Sequence, residues 1–191
     1  ENYNGISSFT IPTTVEHNGI TYAVTGIDDR AFLNCFALKS ITIPEGITNI
    51  GTIAFENCKA LTSITIPNSV TNISQSAFGN DSSLTSITIG KGVINIGYRA
   101  FSGIENLTKF ICLSPHLTSI PEFSLSDQAH LDTVIAYASF LNISEESLKN
   151  ASKQLQYVSV LGGELTDNAF GFFRRSNKTL KVLDLTNATN T

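Results

Sequence analysis

The feature that most constrains the fold of this chain is a repeat with a step of 23 residues. An Ala-Phe pair, an isoleucine before it and a leucine after it all recur at this step. The recurring positions are Ile27, Ile50, Ile73 and Ile96; Ala31-Phe32, Ala54-Phe55, Ala77-Phe78 and Ala100-Phe101; and Leu38, Leu61, Leu84 and Leu107. A unit this short cannot bury its own apolar residues, so neighbouring units must stack and share a core. The repeat therefore predicts a solenoid.

Each repeat carries one short segment in which polar and apolar residues alternate, which is the pattern of a β-strand with one buried face. In the first full repeat, Ile41 and Ile43 would face the core, and Ser40 and Thr42 would face solvent. A proline or glycine follows, and proline cannot donate a hydrogen bond to a strand ladder. We therefore expect one short strand in each unit, stacked in parallel on the next.

The two ends of the array depart from the regular pattern. The pattern predicts seven strands from Leu38 onward, and a degenerate one at residues 9–12. Residues 15–24, centred on Asn18-Gly19, predict a hairpin. The stretch from Ser144-Glu145-Glu146-Ser147-Leu148 to Leu155 has a capping residue and the spacing of a helix, so a true helix is expected there.

The pattern L-x-x-I-x-I-P followed by A-F-x-x-C resembles the BspA-like leucine-rich repeats. The resemblance covers nearly the whole chain, is most specific over residues 27–107, and includes a typical array start at residues 9–32. Ordinary leucine-rich repeats place an asparagine eight residues after the first leucine. Here Gly46, Ser69 and Gly92 hold that position, which favours the BspA-like subtype.

The repeat and the resemblance together predict an α/β fold: a right-handed leucine-rich-repeat solenoid with a parallel β-sheet on its concave face. Short helical or 3₁₀ turns would cover the convex face. Residues 1–191 would form a single domain. Within it, residues 1–26 would be an N-terminal cap with a hairpin, residues 27–117 the regular repeats, and residues 118–191 divergent longer repeats.

The resemblance also implies a function. Proteins with these repeats are large surface proteins of host-associated anaerobic bacteria and some parasitic protists, and some bind host matrix or plasma proteins. We therefore expect a cell-surface or secreted, adhesin-like module whose partner is a host or cell-surface protein. The alternative is a passive structural spacer of a larger surface protein, with no ligand of its own. A monomer is expected in either case.

Composition excludes several other classes. The formal net charge is −4, with only 12 Lys and Arg residues and no basic cluster, which disfavours nucleic acid. No apolar run approaches the roughly 20 residues that span a bilayer, so no transmembrane segment is expected. The polar opening of the sequence does not have the apolar region of a signal peptide.

No arrangement of residues in the sequence points to catalysis, so we expect no enzyme activity, no cofactor and no metal site. The three histidines, His17, His116 and His130, are far apart. The acidic pairs Asp28-Asp29 and Glu145-Glu146 are chain neighbours, which would not face one another across a bond to be cleaved.

Cysteines and asparagines each leave two interpretations open. Cys35 and Cys58 share a repeat position, and Cys112 lies at an inward one. We expect all three cysteines to be free thiols packed in the core, and a Cys35–Cys58 disulfide is the alternative. Asparagines also recur directly before the repeat isoleucine. We expect them to form a ladder that satisfies backbone groups of neighbouring coils; the alternative is a polar ladder that binds a ligand. They are Asn49, Asn72, Asn95 and Asn142.

The outward side of the predicted strands changes character along the array. In the first three regular units it carries only Ser and Thr. From the fourth unit an apolar or aromatic residue appears in every strand, which predicts a partner-binding surface. Its candidate residues are Lys109, Ile111, Thr133, Ile135, Tyr157, Ser159, Val182 and Asp184. The alternative is that a neighbouring coil, a flanking domain or a dimer mate covers this stripe.

Overall fold

The computed structural model describes residues 5–117, 120–121, 124–125, 130–143, 155–166 and 179–189. Short strands dominate these residues. In chain order the elements are β1 (Ser8–Thr10), β2 (Thr14–His17), β3 (Ile20–Ala23), β4 (Gly26–Ile27), β5 (Ser40–Thr42), β6 (Asn49–Ile50), β7 (Ser63–Ile66), β8 (Asn72–Ile73), β9 (Ser86–Ile89), β10 (Asn95–Ile96), β11 (Lys109–Cys112), β12 (Thr133–Ala136), α1 (Ala138–Ile143), β13 (Tyr157–Val160), β14 (Gly163–Glu164), β15 (Val182–Asp184) and β16 (Ala188–Thr189).

The seven predicted strands are present and stack in parallel. A six-stranded sheet runs in the order β7-β9-β11-β12-β13-β15, and β5 pairs with β1 beside it. Equivalent residues of neighbouring repeats face each other; Ile64, for example, pairs with Ile87. Both isoleucines are buried, whereas Ser63 and Thr65 of the same strand are exposed. The predicted alternation of inward and outward residues is thus confirmed, and the chain is a parallel-strand solenoid.

A second parallel sheet, which the sequence did not predict, forms another wall of the array. It consists of the two-residue strands β4, β6, β8 and β10, with Ile27, Ile50 and Ile73 in register. These isoleucines point into the core and are at most 4% exposed. Two-residue strands are too short for alternation to reveal them.

The Ala-Phe segments form stacked turns with i→i−3 hydrogen bonds, and the short helices that the sequence led us to expect are not present at Phe32, Phe55, Phe78 or Phe101. Phe32 N donates to Ala54 O of the next coil at 2.7 Å. The neighbouring Leu33 N donates within its own coil, to Arg30 O at 3.1 Å. An α-helix would need these amides for its own i→i−4 bonds. Because alternate amides bond to the next coil instead, residues 28–37, 51–60, 74–83 and 97–106 stay non-helical.

Left-handed backbone conformations flank each Ala-Phe pair and produce these turns. Two columns of residues have positive φ, namely Arg30 (59°), Ile53 (61°), Ser76 (52°) and Arg99 (55°), and Asn34 (61°), Asn57 (62°), Asn80 (60°) and Gly103 (73°). Asn and Gly tolerate this conformation best, which accounts for the second column. The first column contains no such residue, so its conformation could not be predicted from residue type.

Stacked phenylalanines form the spine of the core. The rings of Phe32 and Phe55 lie 5.0 Å apart, those of Phe55 and Phe78 5.1 Å, and those of Phe78 and Phe101 5.5 Å. Their planes are within 10° of parallel. Phe55, Phe78 and Phe101 are fully buried. The fixed 23-residue step places each ring directly over the next.

The ends of the described array contain a hairpin and one short helix. Strands β2 and β3 pair antiparallel around Asn18 (φ 52°) and Gly19 (φ 75°), as predicted. Helix α1 is the only α-helix among the described residues, and it follows β12. The helix predicted at residues 144–155 lies almost entirely outside the described residues.

The cysteines are free, which confirms the first interpretation. Cys35, Cys58 and Cys112 are all buried and unbridged. The Cys58 thiol donates to Phe32 O at 3.3 Å. Burial raises the pKa of Cys112 to about 11, so this thiol remains protonated near neutral pH.

A buried carboxyl group continues the column that starts with Cys35 and Cys58. Asp81 is fully buried; its Oδ1 accepts a hydrogen bond from Cys58 N at 2.7 Å, and no partner is found for Oδ2. Burial is the main cause that raises the pKa of Asp81 to about 9. Asp81 is therefore a neutral acid in the folded protein at pH 7. The same column holds Ile104 in the next repeat.

Removal of one ring from the spine should strongly destabilise the array. We expect Phe78→Ala to lower the free energy of unfolding by about 3–5 kcal/mol, because it leaves a cavity between two stacked rings. Urea denaturation followed by circular dichroism measures this change. Phe36→Ala is the control, since Phe36 is 52% exposed. Similar losses in the two variants would contradict the assigned core.

The buried acid should make stability fall as the pH rises. The pKa of Asp81 is about 9 in the folded state and about 3.9 in the unfolded state. The contribution of the protonated Asp81 to the free energy of unfolding is therefore complete below the unfolded-state pKa. It decreases as the pH rises above that value and is lost once the pH passes the folded-state pKa. We expect Asp81→Asn to gain stability over wild type by up to about 1.4 kcal/mol per pH unit in this window. Urea denaturation at several pH values measures it. The exposed Glu105→Gln serves as control; a pH-independent difference for Asp81→Asn would refute the assignment.

Candidate partner-binding face

The eight candidate residues lie together on the outward side of four adjacent strands, which we call the C-terminal face. Strand pairing arranges them in two rows, Lys109, Thr133, Tyr157 and Val182, and Ile111, Ile135, Ser159 and Asp184. The intervening residues Phe110, Val134 and Val158 point the other way and are fully buried. The side chains of the C-terminal face therefore project from a fixed backbone, at the strand spacing of about 4.8 Å.

Most of the C-terminal face remains partly accessible to solvent. Lys109 is exposed and Val182 is 46% exposed, while Ile111, Ile135 and Tyr157 are half-buried. Thr133 is also half-buried and donates to Asp132 Oδ1 at 2.7 Å. Ser159 differs from the rest because it is only 7% exposed and offers little contact surface.

Hydrogen bonds hold the carboxylate at the edge of the C-terminal face. Asp184 Oδ1 accepts from the Thr186 hydroxyl at 2.6 Å and from the Thr186 amide at 3.0 Å, and Oδ2 accepts from the Ser159 hydroxyl at 3.1 Å. These bonds, first of all those from Thr186, lower the pKa of Asp184 below its ordinary value. Asp184 is therefore a fixed negative charge.

The N-terminal strands β5, β7 and β9 line a groove that sequence reasoning did not identify. Its volume is about 500 Å³, and Ser40, Thr42, Ser63, Thr65 and Thr88 contribute hydroxyl-bearing side chains to its lining. The short side chains leave this space free above the strands. The Ser/Thr pattern was visible in the sequence, but the volume that it leaves depends on how the strands curve and twist.

A second groove lies where the chain enters the strands. It has a volume of about 610 Å³ and is lined by residues with polar groups in their side chains, namely Ser83, Thr85, Asn106, Thr108, His130 and Asp132. The Thr108 hydroxyl donates to Thr85 O at 3.1 Å, and the Asn106 amide donates to Ser82 O at 2.8 Å. Part of this polar lining therefore stabilises neighbouring coils.

The histidines and acidic residues that the sequence singled out lie apart in the described part of the chain. No cluster of three or more His, Cys, Asp or Glu side chains suited to a metal is found among them. His17, His116 and His130 are exposed and lie on separate parts of the array. Asp28 and Asp29 accept backbone hydrogen bonds at turns; Glu145-Glu146 lies outside the described residues. Asp81 has a strongly raised pKa, but its complete burial keeps it from contacting a substrate.

The repeating asparagines form the ladder that the structural interpretation predicts. Asn72 Nδ2 donates to Asn49 Oδ1 at 2.8 Å, and Asn95 is in register with Asn72 in the next coil. Asn142 lies in α1 instead, and its side chain is outside the described part of the chain. The Asn side-chain bond connects adjacent coils, so it stabilises the stacking.

In the part of the chain that the structure describes, no helix has the length and apolar character needed to cross a membrane. Helix α1 has six residues.

Comparison with known proteins agrees with this architecture. The family model for the BspA type leucine rich repeat region matches residues 1–111 and 25–156, with six copies of the repeat. A leucine-rich repeat protein of T. pallidum has a similar crystal structure, with a TM-score of 0.66 at 22% identity, over 97% of this chain and 88% of that one.

Two further crystal structures are more distantly similar. A leucine rich cell surface protein of Faecalibacterium prausnitzii A2-165 gives a TM-score of 0.42 at 19% identity, over 81% of this chain and 69% of that one. A leucine-rich repeat protein of Bacteroides ovatus ATCC 8483 gives a TM-score of 0.39 at 18% identity, over 84% of this chain and 70% of that one. No curated protein matches the sequence significantly.

The matched region covers more than half of the chain, and the repeat residues that carry the match are those that form the stacked strands and the phenylalanine spine. The chain therefore belongs to the BspA-type leucine-rich repeat family.

Proposed function

We propose that this chain is a non-catalytic, adhesin-like protein-binding module of a cell-surface or secreted protein. Its partner is a host or cell-surface protein, and the module binds it as a monomer. The contact surface is the C-terminal face. The observation that carries the proposal is the change in outward side chains between β9, with Ser86 and Thr88, and β11, with Lys109 and Ile111.

The chemistry of the C-terminal face suits protein recognition. Adjacent half-buried Ile111 and Ile135 provide an apolar centre, and Tyr157 adds an amphipathic ring. Apolar patches with polar borders are typical of interaction sites, and tyrosine is frequent among the residues that contribute most binding energy. Binding here requires no cofactor, because specificity comes from side chains displayed on a rigid sheet.

The proposal includes the shape of the array. We take residues 1–191 as one domain, a right-handed solenoid whose six-stranded sheet lies on the concave side. The groove above Ser63 and Thr65 lies on this side of the array.

A passive spacer is the second candidate function. The uniformly small hydroxyl side chains of β5, β7 and β9 favour it, because that part of the sheet offers a partner neither charge nor aromatic area. A spacer would have no saturable ligand.

A double substitution on the C-terminal face separates these functions. We expect the wild-type protein to bind at least one member of a panel of matrix proteins, plasma proteins and glycans. The double variant Ile135→Ser with Tyr157→Ala should bind that member about tenfold more weakly, or weaker still. The melting temperature should change little, since both side chains are half-buried. Surface plasmon resonance and calorimetry provide the two measurements.

Ser63→Ala with Thr65→Ala is the matched control, because these residues hold the same outward positions on β7. It should retain full affinity. A wild-type protein that binds nothing on the panel favours the spacer, and a double variant that unfolds shows that Ile135 and Tyr157 belong to the core.

A further inference from the structure

Two neighbouring coils near the start of the array are not joined by a strand ladder. Strand β5 is paired with β1 and strand β7 with β9, and among the described strands no ladder joins β5 to β7. At the start of these strands Thr62 N donates to Lys39 O over a long 3.4 Å. Past their ends, the exposed Glu45 side chain accepts from Asn68 N at 3.1 Å and Ser69 N at 2.9 Å. We call the space between β5 and β7 the β5–β7 cleft.

The β5–β7 cleft opens into the groove of about 500 Å³ and reaches the core. Ile41 lines the groove from one side of the cleft, and Ser63 and Thr65 line it from the other. Ile41 is half-buried, whereas Ile64 and Ile87, at the same position of the next two strands, are at most 2% exposed. A ligand in the cleft would therefore contact an apolar side chain of the inward row.

The backbone groups that face the cleft repeat with the spacing of a strand ladder. Neighbouring residues of a strand direct their amides and carbonyls to opposite sides. Ser40 N donates to Ser7 O on the β1 side, so the amide and carbonyl of Ile41 face the cleft. The same alternation on β7 leaves those of Ser63 and Thr65 facing it. Since no ladder satisfies these groups, they require water or the backbone of another strand.

We infer that the β5–β7 cleft binds an extended segment of a partner protein as an additional strand. The backbone of this segment bonds to Ile41 on one side and to Ser63 and Thr65 on the other, as in strand addition at the edge of a sheet. Its side chains alternate, so those that point inward contact Ile41 and are apolar, and those that point outward are polar. The site is separate from the C-terminal face, and the inference goes beyond the proposed function.

Insertion requires the N-terminal coil to pivot. Two strands with a third between them lie about 9.6 Å apart. The other walls of the two coils hold together, because the rings of Phe32 and Phe55 stack at 5.0 Å and strands β4 and β6 are paired. The cleft therefore opens as a wedge about these contacts, and the opening breaks the long bond from Thr62 N to Lys39 O.

Two synthetic peptides test this inference on the full chain. The first has the sequence of residues 84–90, which alternate as the inserted segment should, with two lysines added for solubility. The second is identical but carries methyl groups on alternate backbone amides, so it keeps the side chains and cannot complete a ladder. We expect wild type to bind the first peptide about tenfold more tightly than the second, because the methyl groups remove backbone hydrogen bonds. Isothermal titration calorimetry measures both affinities.

Amide hydrogen exchange followed by NMR locates the bound peptide. In the free protein the amides of Ile41, Ser63 and Thr65 should exchange faster than the amide of Ile87, which lies in a ladder on both sides. The first peptide should slow exchange at these three amides by about tenfold or more and leave Ile87 unchanged. Binding that leaves the three amides unprotected would place the peptide elsewhere and overturn the inference.

Side-chain variants distinguish the inserted strand from other modes of binding. Ser63→Ala with Thr65→Ala should bind the first peptide with wild-type affinity, because backbone groups make the contacts. A loss of binding in this variant would indicate recognition of the hydroxyl groups and overturn the inserted strand.

The proposed function and this inference fail separately. Ile135→Ser with Tyr157→Ala should leave peptide binding unchanged, since both residues lie on the C-terminal face; a loss would place the peptide there and contradict the cleft. A wild-type protein that binds neither peptide, or both equally, overturns the inference whether or not it binds a protein of the panel.

Discussion

The stacking of coils at a fixed step of 23 residues is the constraint on which the structure depends. Backbone hydrogen bonds leave each coil in both directions along the array: Thr85 N donates back to Thr62 O at 2.9 Å, and Phe55 N donates forward to Ala77 O at 2.7 Å. Each coil thus satisfies polar groups of both neighbours. The later coils keep this strand pairing at longer steps, since Lys109 pairs with Thr133 and Tyr157 with Val182. In the regular coils the constant step also keeps the phenylalanine rings stacked.

This constraint acts on one side of each strand and leaves the other free. The inward residues Ile87, Phe110 and Val134 fill a closed core, so they stay apolar. Their outward neighbours Thr88 and Ile111 are only half-buried, and the chemistry changes from one to the other while the strands remain in register. A rigid array with a variable outer surface is suited to recognition, which is why we place the binding function on the C-terminal face.

The sequence predicted features that repeat with a period and missed those that depend on local geometry. The main strands and the spine of Phe55 and Phe78 followed from alternation and from the 23-residue step. The second sheet has strands too short to alternate, and the turns depend on left-handed residues such as Ile53, which carries no such signal. The sequence has Asp81 at the repeat position that Cys35, Cys58 and Ile104 hold in other coils. The raised pKa of Asp81 follows from its burial, which only the structure shows. The eight residues of the C-terminal face were predicted as a set; the near-complete burial of Ser159 was not.

Deletion of one complete repeat tests the stacking account most directly. A variant without residues 51–73 removes 23 residues and joins equivalent positions, so Phe32 would stack on Phe78. We predict a folded array with a cooperative urea transition and nearly the wild-type circular dichroism per residue. A variant without residues 51–62 removes half a repeat and should lose this structure. Equal unfolding of both variants, or equal tolerance of both deletions, would contradict the account.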